Sequence, residues 1–308
     1  AMHEENWLKN VGWLNQLKLR SSYGVVGSDA GIPNNIQTAY VNRVNGVFGR
    51  DPASVTTSEV LDMVIDYGLH WEEARQFDLG LDFRALNNRL TLEFDYYIKT
   101  TANILTNITL PGISGSTYSP LSNIAKARNT GIEFNIGWRE NRGDFSYDLS
   151  LIGTTLKNKV VSVNQNLPPL ENGANVTKVG YPIGGFWGYE VLGIYQNKQI
   201  IEETASIDGA TPGDLWYKDQ NGDGVIDKDD RIYMGSYLPK VTLGLNMRFA
   251  YKGVDLEMDL YSSLGNKIYS TRRQTLGVSP YNVTTDYLHS WVGEGSTNKT
   301  TRVLLDGP

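Results

Sequence analysis

FDLGLDFRALNNRLTLEFDYYIK, residues 77–99, is the stretch from which the fold can be read. Phe77, Leu79, Leu81 and Phe83 fall on one face of an extended chain, with Asp78, Gly80, Asp82 and Arg84 on the other. After a polar turn at Asn87 and Asn88, Leu90, Leu92, Phe94, Tyr96 and Ile98 alternate with Thr91, Glu93, Asp95, Tyr97 and Lys99. Successive side chains of a strand point to opposite faces, so this segment predicts an antiparallel hairpin with one apolar and one wet surface.

The same pattern recurs on both sides of it. Ile132, Phe134, Ile136 and Trp138 lead through a turn at Glu140–Gly143 into Phe145, Tyr147, Leu149 and Leu151. Val241, Leu243, Leu245, Met247, Phe249 and Tyr251 turn at Lys252–Gly253 into Val254, Leu256, Met258 and Leu260, whose other face carries Asp255, Glu257 and Asp259. Leu17, Leu19, Ser21, Tyr23 and Val25 alternate with Lys18 and Arg20 among others. The pattern predicts about eight to ten strands. Runs of about ten residues exceed the usual globular strand and match a tilted membrane span. Trp71, Trp138 and Tyr251 sit toward strand ends, as in an interfacial girdle. Short turns near 86, 141 and 252 alternate with long connections at 28–68, 100–128 and 158–238. That is the rhythm of a barrel with short periplasmic turns and long extracellular loops. The expected class is therefore all-β: an antiparallel transmembrane β-barrel segment.

Composition agrees with this reading. The 308 residues include 32 Gly and 18 Tyr against 8 Phe, and only 20% are charged. No apolar run is long enough for a transmembrane helix, which does not bear on barrel strands. The net charge of −6 and the lack of a Lys/Arg tract argue against nucleic acid as partner. The absence of cysteine excludes disulfides, thiolate catalysis and thiolate zinc sites.

Residues 219–230, DQNGDGVIDKDD, follow the twelve-residue calcium-loop template. Asp219, Asn221 and Asp223 take positions one, three and five. Val225 offers its carbonyl at seven, and Asp227 and Asp230 take nine and twelve. Gly224 makes the sharp turn and Ile226 anchors the loop. A hard cation needs several oxygens converging from a tight loop, so Ca2+ is the expected ion. Asp230 replaces the usual bidentate Glu, which admits Mg2+ as well. Its expected role is to stiffen a long loop.

Other signals carry less. His3, His70 and His289 are far apart in the sequence and lack partner motifs. Carboxylates such as Asp95 and Asp259 are expected to line a hydrated lumen rather than form a glycosidase pair. Gly184, Gly185 and Gly188 lack the following helix of a phosphate loop. Trp187, Tyr189, Tyr195, Trp216 and Tyr217 are expected to pack within their loop.

With these pieces placed, the chain resembles the C-terminal part of a SusC/RagA-type TonB-dependent transporter. The resembling segments are LNQLKLRSSYGVVG at Leu14–Gly27, the run Leu69–Lys99, ARNTGIEF at Ala127–Phe134, GGFWGYEVLGIY at Gly184–Tyr195, and Pro212–Gly235. They occur in the family's order and cover most of the chain. The resemblance implies energised import of oligosaccharides or peptides across a bacterial outer membrane of Bacteroidota type. It further implies a 22-stranded barrel with a plug, a SusD-like surface lipoprotein as partner, and the TonB complex as the source of work. Residues 1–308 are expected to be one partial barrel in contact with outer-membrane lipid. The calcium-type loop would lie within the extracellular loop 158–238, and the plug, TonB-contacting region and final strands outside the sequence.

The main alternative is a secreted calcium-binding β-sandwich or adhesin that binds glycans, its apolar faces forming a core. A β-rich glycoside hydrolase is disfavoured because no carboxylate pair stands out. Detergent dependence separates a barrel segment from either.

Overall fold

The computed structural model describes residues 2–30, 32, 41–47, 55–61, 66, 68–108, 120–164, 170–270 and 285–303, with backbone alone for 41–47, 55–61 and 286. Among them are sixteen strands. The first eight are β1 (Leu14–Ser28), β2 (Val41–Val47), β3 (Val55–Leu61), β4 (Glu72–Ala85), β5 (Leu90–Asn107), β6 (Leu121–Arg142), β7 (Phe145–Thr155) and β8 (Lys157–Val163). Then come β9 (Leu170–Asn172), β10 (Asn175–Thr177), β11 (Gly185–Gly188), β12 (Val191–Ile194), β13 (Leu215–Tyr217), β14 (Ile232–Gly235), β15 (Val241–Tyr251) and β16 (Val254–Leu264). The chain forms two compact units.

The first unit comprises Ala1–Asn172, Val176–Gly184 and Leu238–Asn266. Its body is one antiparallel sheet in the order β1-β4-β5-β6-β7-β15-β16, with β8 also on β6. The quoted hairpin is β4–β5, with Asp82 opposite Glu93 and Phe83 opposite Leu92. Its turn is made by Leu86, Asn87 and Asn88, all left-handed, a conformation asparagine tolerates better than most residues. Lys252 and Gly253 form the β15–β16 turn with φ of 45° and 83°. Positive φ at both central residues suits the right-handed twist of the flanking strands.

The register carries every alternating apolar residue to one face. Leu79, Phe94, Ile136 and Leu151 lie on strands with a partner on each side, yet remain 40, 38, 39 and 36% exposed. Among the described residues of this unit, no second layer covers them. A sandwich would bury this face against a facing sheet, so the soluble-sandwich alternative is not met. The buried apolar side chains of the wall are few: Ala85, Ile124, Ala127 and Val160. An apolar sheet face of this extent in contact with its surroundings is the arrangement a lipid bilayer solvates.

Four sequence expectations need correction. More strands form than the eight to ten expected, because short ones within the long connections escape a periodicity test. The 100–128 connection is mostly ladder: β5 and β6 stay paired out to Asn107 opposite Leu121. Register irregularities between Thr101 and Leu105 break the alternation there while backbone pairing continues. Glu140, assigned to a turn, lies inside β6, and the turn is the two residues Gly143 and Asp144. The 28–68 connection contains the β2–β3 hairpin, Val41 opposite Leu61 through Val47 opposite Val55.

The second unit comprises Gly173–Asn175, Gly185–Tyr237 and Lys267–Pro308. It folds around Ile194, Tyr195 and Ile226. The only α-helix among the described residues, α1 (Lys198–Glu203), starts at Asn197, whose side chain accepts the Ile200 N–H at 3.1 Å. The expected packing of loop aromatics is present. Trp187 meets Tyr233 at 6.1 Å between ring centroids, Tyr189 meets Tyr217 at 5.2 Å, and Tyr195 meets Trp216 at 6.0 Å. Among the described residues no helix is long and apolar enough to cross a membrane.

Candidate functional site

Opposite the apolar face, the even-numbered residues of β1 and β4 and the odd-numbered residues of β5 and β6 share a wet surface. Arg20 stands at its centre. Its Nε donates to Asp82 Oδ1 at 2.8 Å and its Nη2 to Asp95 Oδ2 at 2.9 Å. Arginine's planar fork presents several donors at once, so one guanidinium ties together carboxylates from two other strands. The bridge passes over Gly80, where a Cβ would overlap Asp95 Oδ1 and approach Arg20 Cζ to 2.8 Å. Glycine in the middle of this strand is explained by that close approach.

Further along, Ser22 Oγ donates to Asp78 Oδ2 at 3.1 Å and Gln76 Nε2 to Asp78 Oδ1 at 2.8 Å. These groups border a hollow of about 570 Å³ whose lining includes Arg20, Asp78, Asp95, Lys99, Asn129 and Glu133. Toward the short turns, Arg139 Nε donates to Asp148 Oδ2 at 2.7 Å. The carboxylates expected to line a lumen therefore do lie on one wet face. They are partnered by arginine and amide groups, and they do not form an isolated pair with a reactive centre.

The expected metal loop is one continuous turn in the second unit. Asp219 accepts the N–H groups of Gly222 (2.6 Å) and Gly224 (2.9 Å). Asn221 accepts from Asp223 N–H, Asp223 from Val225 N–H, and Asp227 from Asp229 N–H. Asp230 is fully buried, with its two oxygens on Gln220 N–H and Asp227 N–H, each at 2.8 Å. Those amides hold its carboxyl below the usual range. Among the described residues no three His, Cys, Asp or Glu side chains converge as a ligand set. As placed here, the loop's oxygens clamp its own backbone. The loop is flanked by β13 and β14.

The three histidines do not meet. His3 Nδ1 accepts the Leu17 N–H at 3.3 Å, His70 Nδ1 lies 2.8 Å from the Gly68 carbonyl, and His289 sits in a short helical turn.

Two residues that composition and spacing did not single out organise the second unit. Gln196 donates to the carbonyls of Ile194 and Thr297, both at 3.1 Å, and accepts from Trp291 Nε1 at 3.2 Å and Gly295 N–H at 2.9 Å. Arg302 Nε donates to Asp214 Oδ1 at 2.8 Å. Burial pushes the Asp214 carboxyl up, but Arg302 and Thr211 outweigh it and leave it below the usual range. An isolated Gln or Arg gives no sequence signal, because its partners lie about a hundred residues away.

The profile of a family described as "TonB dependent receptor-like, beta-barrel" matches residues 3–266. The TonB-dependent receptor P3 of Formosa agariphila is 32% identical over 94% of this chain, which spans 30% of that protein. The TonB-dependent receptor SusC of Bacteroides thetaiotaomicron is 28% identical over 86% of this chain and 27% of its own length. A solved structure, the RagAB peptide transporter, superposes on the whole chain with a TM-score of 0.78 at 22% identity, using 33% of its length. The chain thus spans about a third or less of the proteins it matches.

Proposed function

The chain belongs to the family of TonB dependent receptor-like β-barrels of the outer membrane, and we propose that it serves energised import of oligosaccharides or peptides. In this reading it works with a SusD-like surface lipoprotein, draws on the TonB complex, and performs no bond-breaking chemistry. The observation that carries the reading is the division of one sheet into a bare apolar face and an ion-paired wet face. Around the hollow on the wet face, Asp78, Asp95 and Glu133 stand against Arg20 and Lys99. This acidic excess suits cargo rich in hydroxyl, amide or ammonium groups better than anionic cargo. The SusC relative and the printed description of RagAB as a peptide transporter support the two cargo classes without choosing between them.

The test is uptake by cells carrying the full polypeptide, with labelled oligosaccharides and peptides, before and after collapse of the proton-motive force. Uptake of one class should stop with de-energisation and with deletion of the gene. Uptake unaffected by both would sink the reading. Affinity capture from solubilised envelopes tests the lipoprotein partner.

For residues 219–230 we propose a structural Ca2+, with Mg2+ the smaller rival, held by Asp219, Asn221, Asp223, the Val225 carbonyl, Asp227 and Asp230. The support is the oxygen donor set and its spacing. Calorimetric titration of the chelator-treated full protein tests it, and absence of binding heat with both ions rejects it.

A further inference from the structure

The short-turn rim of the wall carries a second polar group of residues, on the apolar side of the sheet. Glu140 shares its face of β6 with Ile132, Phe134, Ile136 and Trp138 and is only 7% exposed. A buried carboxylate on such a face requires compensation, and it has three donors. Tyr147 Oη donates to it at 2.7 Å, Arg142 Nε at 2.9 Å and Arg89 Nη1 at 3.4 Å. Trp138 Nε1 in turn donates to Tyr147 Oη at 3.3 Å. The two arginine side chains remain 50 and 74% exposed. One carboxylate balances one guanidinium, so the cluster keeps a net positive charge, and most of its N–H donors face outward.

The cluster lies at the short-turn end of the apolar face, Glu140 opposite Tyr147 and Arg142 opposite Phe145. Phe145 lies 5.9 Å from Tyr147 and stacks on Phe249 at 6.4 Å, and Lys252 Nζ stands 5.4 Å from the Tyr251 ring. Aromatic rings and cations at the end of an apolar sheet face mark the membrane–water boundary. Short turns mark the periplasmic end of such a barrel. The leaflet met there is the inner one, where headgroups are phosphodiesters. A planar, weakly hydrated guanidinium matches a phosphate better than any other cationic side chain.

We propose that Arg89 and Arg142, oriented by Glu140, bind the phosphate of an anionic phospholipid of the inner leaflet, whose acyl chains lie along Leu90, Ile136 and Leu149. Trp138 and Tyr147 supply the aromatic floor at headgroup level. The inference rests on the outer-membrane reading of the apolar face and is independent of cargo, so it can fail while transport stands.

The test is native mass spectrometry of the delipidated full polypeptide in detergent, titrated with phosphatidylglycerol and, separately, phosphatidylcholine of equal chain length. Phosphatidylglycerol should bind more tightly. The double variant Arg89→Gln/Arg142→Gln should lose about tenfold in affinity, equivalent to about 1.4 kcal/mol. Arg84→Gln/Arg248→Gln makes the same charge change near the same turns but on the wet face, and should bind as the parent does. Retained heat-modifiable migration on gels reports folding. If the double variant does not fold, Arg142→Gln alone, the more exposed side chain, should show a smaller loss of the same sign. Equal losses in both doubles, or no loss in either, would overturn the proposal. Displacement of the lipid by millimolar inorganic phosphate would overturn the lipid as the source of the phosphate.

Discussion

Gly80 and Asp95 stand opposite each other across the β4–β5 ladder, and the carboxylate of Asp95 occupies the space a Cβ on Gly80 would need. Arg20 closes over both. Gly80→Ala should therefore push Asp95 and Arg20 apart and destabilise the full protein by about 1–3 kcal/mol, the usual range for overpacking. Gly24, on the same face of β1, has open space above it, so Gly24→Ala should be near neutral. Urea midpoints in micelles compare the two. Equal effects would show that the close approach at Gly80 does not matter.

A matching approach occurs on the apolar face. The Phe134 ring covers Gly153, its partner on β7, where a Cβ would overlap the ring. Gly153→Ala should cost about 1–3 kcal/mol by displacing the ring. Phe134→Leu should relieve most of that cost, giving a coupling of at least about 0.5 kcal/mol in a double-mutant cycle. Additive effects would place the ring elsewhere.

Leu245 on β15 lies between Leu151 and Leu260 on the apolar face, while its neighbour Asn246 lies between Ser150 and Asp259 on the wet one. Leu245→Arg should destabilise the inserted protein by about 2–4 kcal/mol if it sits near mid-membrane, and Asn246→Arg by far less. Folding into vesicles of defined thickness measures both. The reverse order would exchange the two faces.

The clamp made by Asp230 should depend on pH. Its folded pKa is depressed by the Asp227 and Gln220 amides. The stabilisation is thus fully present above the ordinary carboxylate range and is lost as pH falls through the lower folded value. Hydrogen exchange at Gln220 and Asp227, corrected for intrinsic rates, should lose protection over that acidic window. Asp230→Asn, which keeps one accepting oxygen, should lose protection at neutral pH. Unchanged protection in the variant would remove Asp230 from the clamp.

Gln196 makes four hydrogen bonds that tie 291–297 to the strand end at Ile194. Gln196→Ala leaves the Trp291 indole and Gly295 amide without their acceptor. A local loss of about 1–3 kcal/mol is expected. Limited proteolysis should cut within 285–303 faster in the variant, with the wall strands unaffected. A cleavage pattern identical to the parent's would contradict this.

The sequence by itself determined the hairpins, their faces and the SusC/RagA-type resemblance that the relatives bear out. Period-two alternation is a local property: Phe77 to Ile98 declares two faces before any partner strand is known. The single-layer reading followed from it, because long alternating strands separated by short and long connections suit a barrel. Tertiary structure decided what depends on register. Arg20 meets Asp82 and Asp95 across 62 and 75 residues, and only the ladder says which carboxylates lie beside it. The same holds for Glu140, assigned to a turn by its polarity but placed by pairing with Tyr147 inside a strand on the apolar face. The ends of β5 and β6 were hidden because register irregularities between Thr101 and Leu105 break the alternation while leaving backbone pairing in place. For the 219–230 loop, spacing specified the donors, and only the fold showed their oxygens turned onto the loop's own amides.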